Sequence, residues 1–136
     1  MTSSPSTPTR TTPAAGPSRV AGAFLLDLVL VVIFVLIGRR SHAESFDVLG
    51  ALNAIWPFVS GMLVGWLISR AWRAPLGILN PGVIVWLCTV AGGMLLRVAS
   101  GQGVQLSFVI VASVATALFL LGWRLVALFA VRRRRA

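Results

Sequence analysis

Residues 20–37 read VAGAFLLDLVLVVIFVLI. This is an unbroken apolar run with one acid, Asp27, inside it. Its eighteen residues, at 1.5 Å each, make a helix of about 27 Å, close to the roughly 30 Å hydrocarbon core of a bilayer. Three more runs follow: 48–72 with Pro57 inside it, 83–98 introduced by Asn80-Pro81-Gly82, and 106–131 after the polar loop Ser100-Gly101-Gln102-Gly103. None alternates like a membrane β-strand, so helices are the form that satisfies the backbone in lipid. The expected fold is all-α, an integral membrane four-helix bundle.

Composition points the same way. The chain has 136 residues, 57% hydrophobic and 11% charged, against about 25% charged in an ordinary soluble domain. A soluble domain this small has too little interior for that much apolar surface. Residues 1–19 are different: Ser, Thr and Pro dominate and no apolar periodicity appears. Such a segment buries too little to offset its ordering entropy, so a disordered tail is expected there. The transmembrane domain then covers 20–131, and 132–136 form a basic C-terminal tail. A cleaved signal peptide competes for the first run, because Ser41-His42-Ala43 has cleavage-like spacing. The length of the run, its carboxylate and the intervening Arg39-Arg40 argue against cleavage.

The net charge is +9, and all twelve basic residues are Arg. They cluster at the ends of apolar runs, so they are read as a topology code and not as a nucleic-acid surface. Four spans put Arg10, Arg19, Arg70, Arg73, Arg124 and Arg132 to Arg135 on one side, and Arg39, Arg40 and Arg97 on the other. This bias predicts an inner (plasma) membrane protein with both termini cytoplasmic. Partners are then the bilayer, anionic head groups at Arg132, Arg133, Arg134 and Arg135, and, for a transporter, further copies of the chain in a homo-oligomer. Trp66, Trp72, Trp86 and Trp123 fall near the cytoplasmic ends of their spans, as an interfacial belt would.

Asp27 is the sharpest feature. A carboxylate at that depth costs several kcal/mol unless it is paired, hydrated or protonated. Two readings follow: a structural ion pair, with Arg124 best placed by depth and Arg70 second, or a proton- or cation-binding carboxylate of a small coupled transporter. In the second span Asn53, Pro57, Gly61, Gly65 and Ser69 recur every four residues. Gly61 and Gly65 form a GxxxG motif that lets another backbone approach, Gly93 offers the same in the third span, and Pro57 is expected to kink its helix. Arg39, Arg40, His42 and Arg97 share one side and make a candidate anion site, with snorkelling of Arg97 as the plainer alternative. Glu44 and Asp47 lie near enough in sequence to pair with the first two. One His and one Cys, Cys88, provide no metal site and no intrachain disulfide. No cofactor and no enzymatic constellation is expected.

Together these residues resemble a family. Asp27 is followed by Gly38-Arg39-Arg40-Ser41-His42, Trp56-Pro57-Phe58 with Gly61 and Gly65, Arg70-Ala71-Trp72-Arg73-Ala74-Pro75, and Trp86-Leu87 with Thr89 through Gly92-Gly93-Met94-Leu95-Leu96-Arg97. This order is similar to the small membrane proteins of high-GC bacteria grouped as domain-of-unknown-function family 3054. The resemblance covers roughly residues 20 to 126. It implies a four-helix membrane protein and carries no particular activity. The expected function is that of a non-enzymatic structural or accessory membrane component, with the transporter as the alternative. An enzyme or lipid-binding module at the outer arginine cluster ranks third.

Overall fold

The computed structural model of the chain describes residues 3–8, 16–41 and 47–135. Residues 3–8 carry no regular structure and are exposed. Four helices follow in order: α1 Pro17–Ser41, α2 Val48–Ser69, α3 Ile84–Ala99 and α4 Leu106–Arg135. A wide turn, Ile78–Val83, leads into α3 and breaks helical geometry at Asn80 (φ −132°, ψ 111°). With that turn counted into the third segment, all four are long and apolar enough to cross a membrane.

Helix ends depart from the sequence expectation for local reasons. α1 starts at Pro17, so residues 17–19 of the expected tail are helical. Proline suits a first helical position because its missing N–H has no partner there, and the Gly16 carbonyl closes the turn with Arg19 and Val20. α2 stops at Ser69, short of the expected Trp72. Arg70 takes a left-handed backbone (φ 52°), its N–H bonds to Leu67 and that of Ala71 to Trp66. This is a Schellman closure with arginine at the position glycine usually holds. α2 opens on Asp47, whose carboxylate accepts from the Leu49 N–H at 3.2 Å. That bond gives Asp47 a helix-capping role; Glu44, its expected companion in pairing Arg39 and Arg40, lies outside the described residues. α4 runs on through Arg132 to Arg135, so the basic segment is a continuation of the helix and not a separate tail.

The inward faces show a four-residue repeat. On α1 they are Ala23, Asp27, Val31 and Val35; on α4 they are Ala112, Thr116, Leu120 and Arg124. The outward face of α1 is as apolar as its inward one: Leu25, Val29, Ile33 and Ile37 are all exposed. A helix in water would turn polar residues outward. A helix in lipid needs none, and its hydrogen-bonding groups are satisfied within the bundle.

α2 and α3 make the closest pairing. A Cβ on Gly61 would collide with the Cys88 carbonyl oxygen, and one on Gly65 would lie 2.8 Å from the Val85 Cα. A Cβ on Gly92 would stand 3.0 Å from the Gly61 Cα, while Gly93 seats the Phe58 ring, 2.5 Å from where its Cβ would be. The expected close approach through Gly61, Gly65 and Gly93 is therefore the geometry observed. α2 is a continuous helix through Pro57, which is buried. Of the expected small-residue ridge, Pro57, Gly61, Gly65 and Ser69 face inward, while Asn53 is exposed.

Candidate functional site

Asp27 and Arg124 meet in the interior, each with 0% of its surface exposed. The pairing is two-pronged: Arg124 Nη1 donates to Oδ1 at 3.0 Å and Nη2 to Oδ2 at 2.7 Å. Two indoles complete the carboxylate. Trp66 Nε1 donates to Oδ2 at 2.9 Å and Trp123 Nε1 to Oδ1 at 2.8 Å. An ionised carboxylate has about four acceptor positions. Four N–H donors from α2 and α4 fill them.

The guanidinium is equally well placed. Its Nε donates to the Pro75 carbonyl at 3.0 Å, and Nη1 also donates to the Leu120 carbonyl at 2.8 Å. The Trp123 ring lies 4.7 Å from its carbon centre, within the range of a cation–π contact. The segment between α2 and α3 packs over it: a Cβ on Gly82 would stand 3.2 Å from Arg124 Cδ. Pro75 and Ala71 are buried in the same segment, and the Asn80–Pro81 peptide is cis. Among the described residues, no buried side-chain nitrogen or oxygen lacks a hydrogen-bond partner.

These contacts settle the partner of Asp27. It is Arg124, the residue best matched in depth; Arg70 is exposed and caps α2. They also correct the reading of the tryptophans. Trp66 is 6% exposed and its N–H points at Asp27, as does that of Trp123, while the Trp86 N–H reaches the Ser113 carbonyl on α4 at 2.9 Å. Three of the four expected belt residues thus turn their polar atom into the bundle. The signal for the two carboxylate ligands was stoichiometric. Arginine offers a carboxylate two donors in one plane, so a buried Asp at that depth calls for two more, and Trp is an N–H donor that an apolar helix can carry.

Of the expected anion cluster, the described residues place Arg39 and Arg97, both at the other end of the bundle. Arg39 and Arg97 line one cavity of about 510 Å³, together with Asn53, Phe34, Phe58 and Phe108. Arg39 Nη1 donates to the Gly50 carbonyl at 3.0 Å. Arg97 donates to the Gly103 carbonyl and to Gln102 Oε1, each at 3.3 Å, and stands 5.0 Å over the Phe108 ring. His42 lies outside the described residues, as does the side chain of Arg40. Among the described residues there is no group of three His, Cys, Asp or Glu able to hold a metal.

Two comparisons, with curated proteins and with solved structures, returned no match. A family model described as "protein of unknown function (DUF3054)" matches residues 24–127, which include both Asp27 and Arg124.

Proposed function

The chain belongs to the DUF3054 family, and we propose that it serves as a non-enzymatic structural or accessory component of the cell membrane. In this reading the four helices are spans and both termini are cytoplasmic. Arg132 to Arg135 extend α4 into the layer of anionic head groups. The arginine bias between the two sides supports the orientation.

One observation carries the assignment: the acceptor positions of Asp27 are fully occupied by Arg124, Trp66 and Trp123, and the residue has no exposed surface. A carboxylate that loads and releases a proton or a cation needs a path to water and an open coordination position. This one ties α1 to α2 and α4 instead. The pair acts as a clasp that sets the register of three helices.

Two readouts test the assignment. Full-length protein is reconstituted into vesicles containing a pH-sensitive dye, and an imposed proton gradient is followed with and without permeant cations. Wild type and Asp27→Asn are expected to leave the gradient equally intact, while Asp27→Asn lowers the unfolding temperature in detergent. A flux that depends on wild-type protein and disappears in a folded Asp27→Asn protein would sink the structural reading in favour of transport.

A further inference from the structure

The cavity at the Arg39–Arg97 end is built differently from the clasp. Its inner wall is aromatic. Phe34 and Phe58 meet edge to face at 5.5 Å, and Phe108 closes the group at 6.2 Å from Phe58 and 6.5 Å from Phe34. Its polar lining includes Arg39, Arg97, Asn53 and Gln102. Arg39 and Phe34 are five residues apart on α1, so their backbone positions are separated by about 7.5 Å along the helix axis.

A hydrocarbon tail suits the aromatic wall, and a phosphate suits guanidinium groups, which bind it through charge-assisted hydrogen bonds. The volume is within the usual range of about 300–1,000 Å³ for ligand cavities. Gly50 helps to shape the polar lining. A Cβ there would come within 2.8 Å of Arg39 Nη2, so the glycine makes room for the guanidinium beside the backbone of α2.

We propose that this cavity is a binding site for one anionic phospholipid, its phosphate at Arg39 and Arg97 and an acyl chain against Phe34, Phe58 and Phe108. The site is separate from the Arg132–Arg135 run at the other end of the bundle and does not depend on the role of Asp27. A membrane component with such a site holds one lipid in a defined place between α1, α2, the end of α3 and the start of α4.

The test uses full-length protein in a neutral detergent, titrated with dihexanoyl phosphatidylglycerol, with dihexanoyl phosphatidylcholine and with inorganic phosphate. Saturable binding of one phosphatidylglycerol per chain is expected. Phosphatidylcholine and phosphate should each bind at least about ten-fold more weakly, since one lacks the net charge and the other the tail. Two variants locate the site. Arg39→Gln removes a cation, and Asn53→Trp fills the cavity while leaving both arginines in place. Each should weaken phosphatidylglycerol binding by about ten-fold or more. A protein in which Arg132 to Arg135 are all Gln should bind as wild type does. Undiminished binding by the Asn53→Trp protein overturns the proposal, as does phosphate binding as tightly as the lipid. So do equal affinities for the two lipids, a loss seen only in the C-terminal variant, and no binding at all.

Discussion

At Asp27 the energetics are dominated by what happens when a partner is removed. Replacing a buried ion pair by apolar groups is often close to neutral, whereas removing one partner leaves an uncompensated charge and costs about 3–5 kcal/mol. Asp27→Asn leaves the Arg124 guanidinium buried without its counter-charge, so a loss of that order is expected in detergent unfolding. Asp27→Leu with Arg124→Met should cost less than the sum of the two single changes, because each single change strands the other residue's charge. The indole donors follow a milder rule. Trp66→Phe keeps an aromatic ring beside Phe24, which meets the indole edge to face at 5.3 Å, but removes the N–H together with part of a buried ring system. A hydrogen bond to a charged group contributes about 1.5–3 kcal/mol, so a loss of at least that order is expected, read from the same unfolding curves. A Trp66→Phe protein as stable as wild type would show that the indole bond contributes nothing.

At the scale of helices, the α2–α3 contact depends on the absence of side chains. Gly61→Leu must drive α3 away from α2, because even a Cβ at that position meets the Cys88 carbonyl oxygen. The backbone oxygen cannot turn aside as a flexible side chain would. A lower unfolding temperature for Gly61→Leu is expected, and unchanged stability would count against the packing role. Gly122→Ala on α4 is the control, since nothing lies within 4 Å of its would-be Cβ, and it should be nearly silent. Arg70 gives the opposite sign. Its left-handed backbone strains a residue with a side chain by roughly 1–2 kcal/mol, which glycine does not pay. Arg70→Gly is therefore expected to raise stability, less the greater freedom of glycine in the unfolded chain, with the Schellman closure intact.

At the scale of the molecule, the same apolar surface faces both inward and outward, and polarity is confined to the clasp, the helix hydroxyls and the two ends. Thr89 and Ser69 bond their hydroxyls to carbonyls four residues back in their own helices, so they need no partner across the bundle. Orientation then rests on the arginines at the ends. In a Cys88→Ser background, a single cysteine placed at Gln102 should react with a membrane-impermeant maleimide added outside intact cells. One placed at Ser3 should react only after the membrane is opened. The reverse pattern would place the termini outside.

The sequence by itself determined the element count, the helical class and the position of Asp27 along its helix, and it ranked Arg124 first among the possible partners. Each of these follows from one-dimensional quantities: run length, rise per residue and charge position along a helix. The small residues of α2 and α3 were legible for the same reason, since a four-residue spacing marks one face of a helix whatever it packs against. Only the tertiary structure decided which way Trp66 and Trp123 turn their N–H groups. Their depth is compatible with an interfacial belt, and the choice depends on an acceptor brought from 39 residues away in one case and 96 in the other. The same holds for the cavity. Arg39, Phe58, Arg97 and Phe108 lie on four different helices, and no spacing along one chain segment brings a charge from one beside a ring from another.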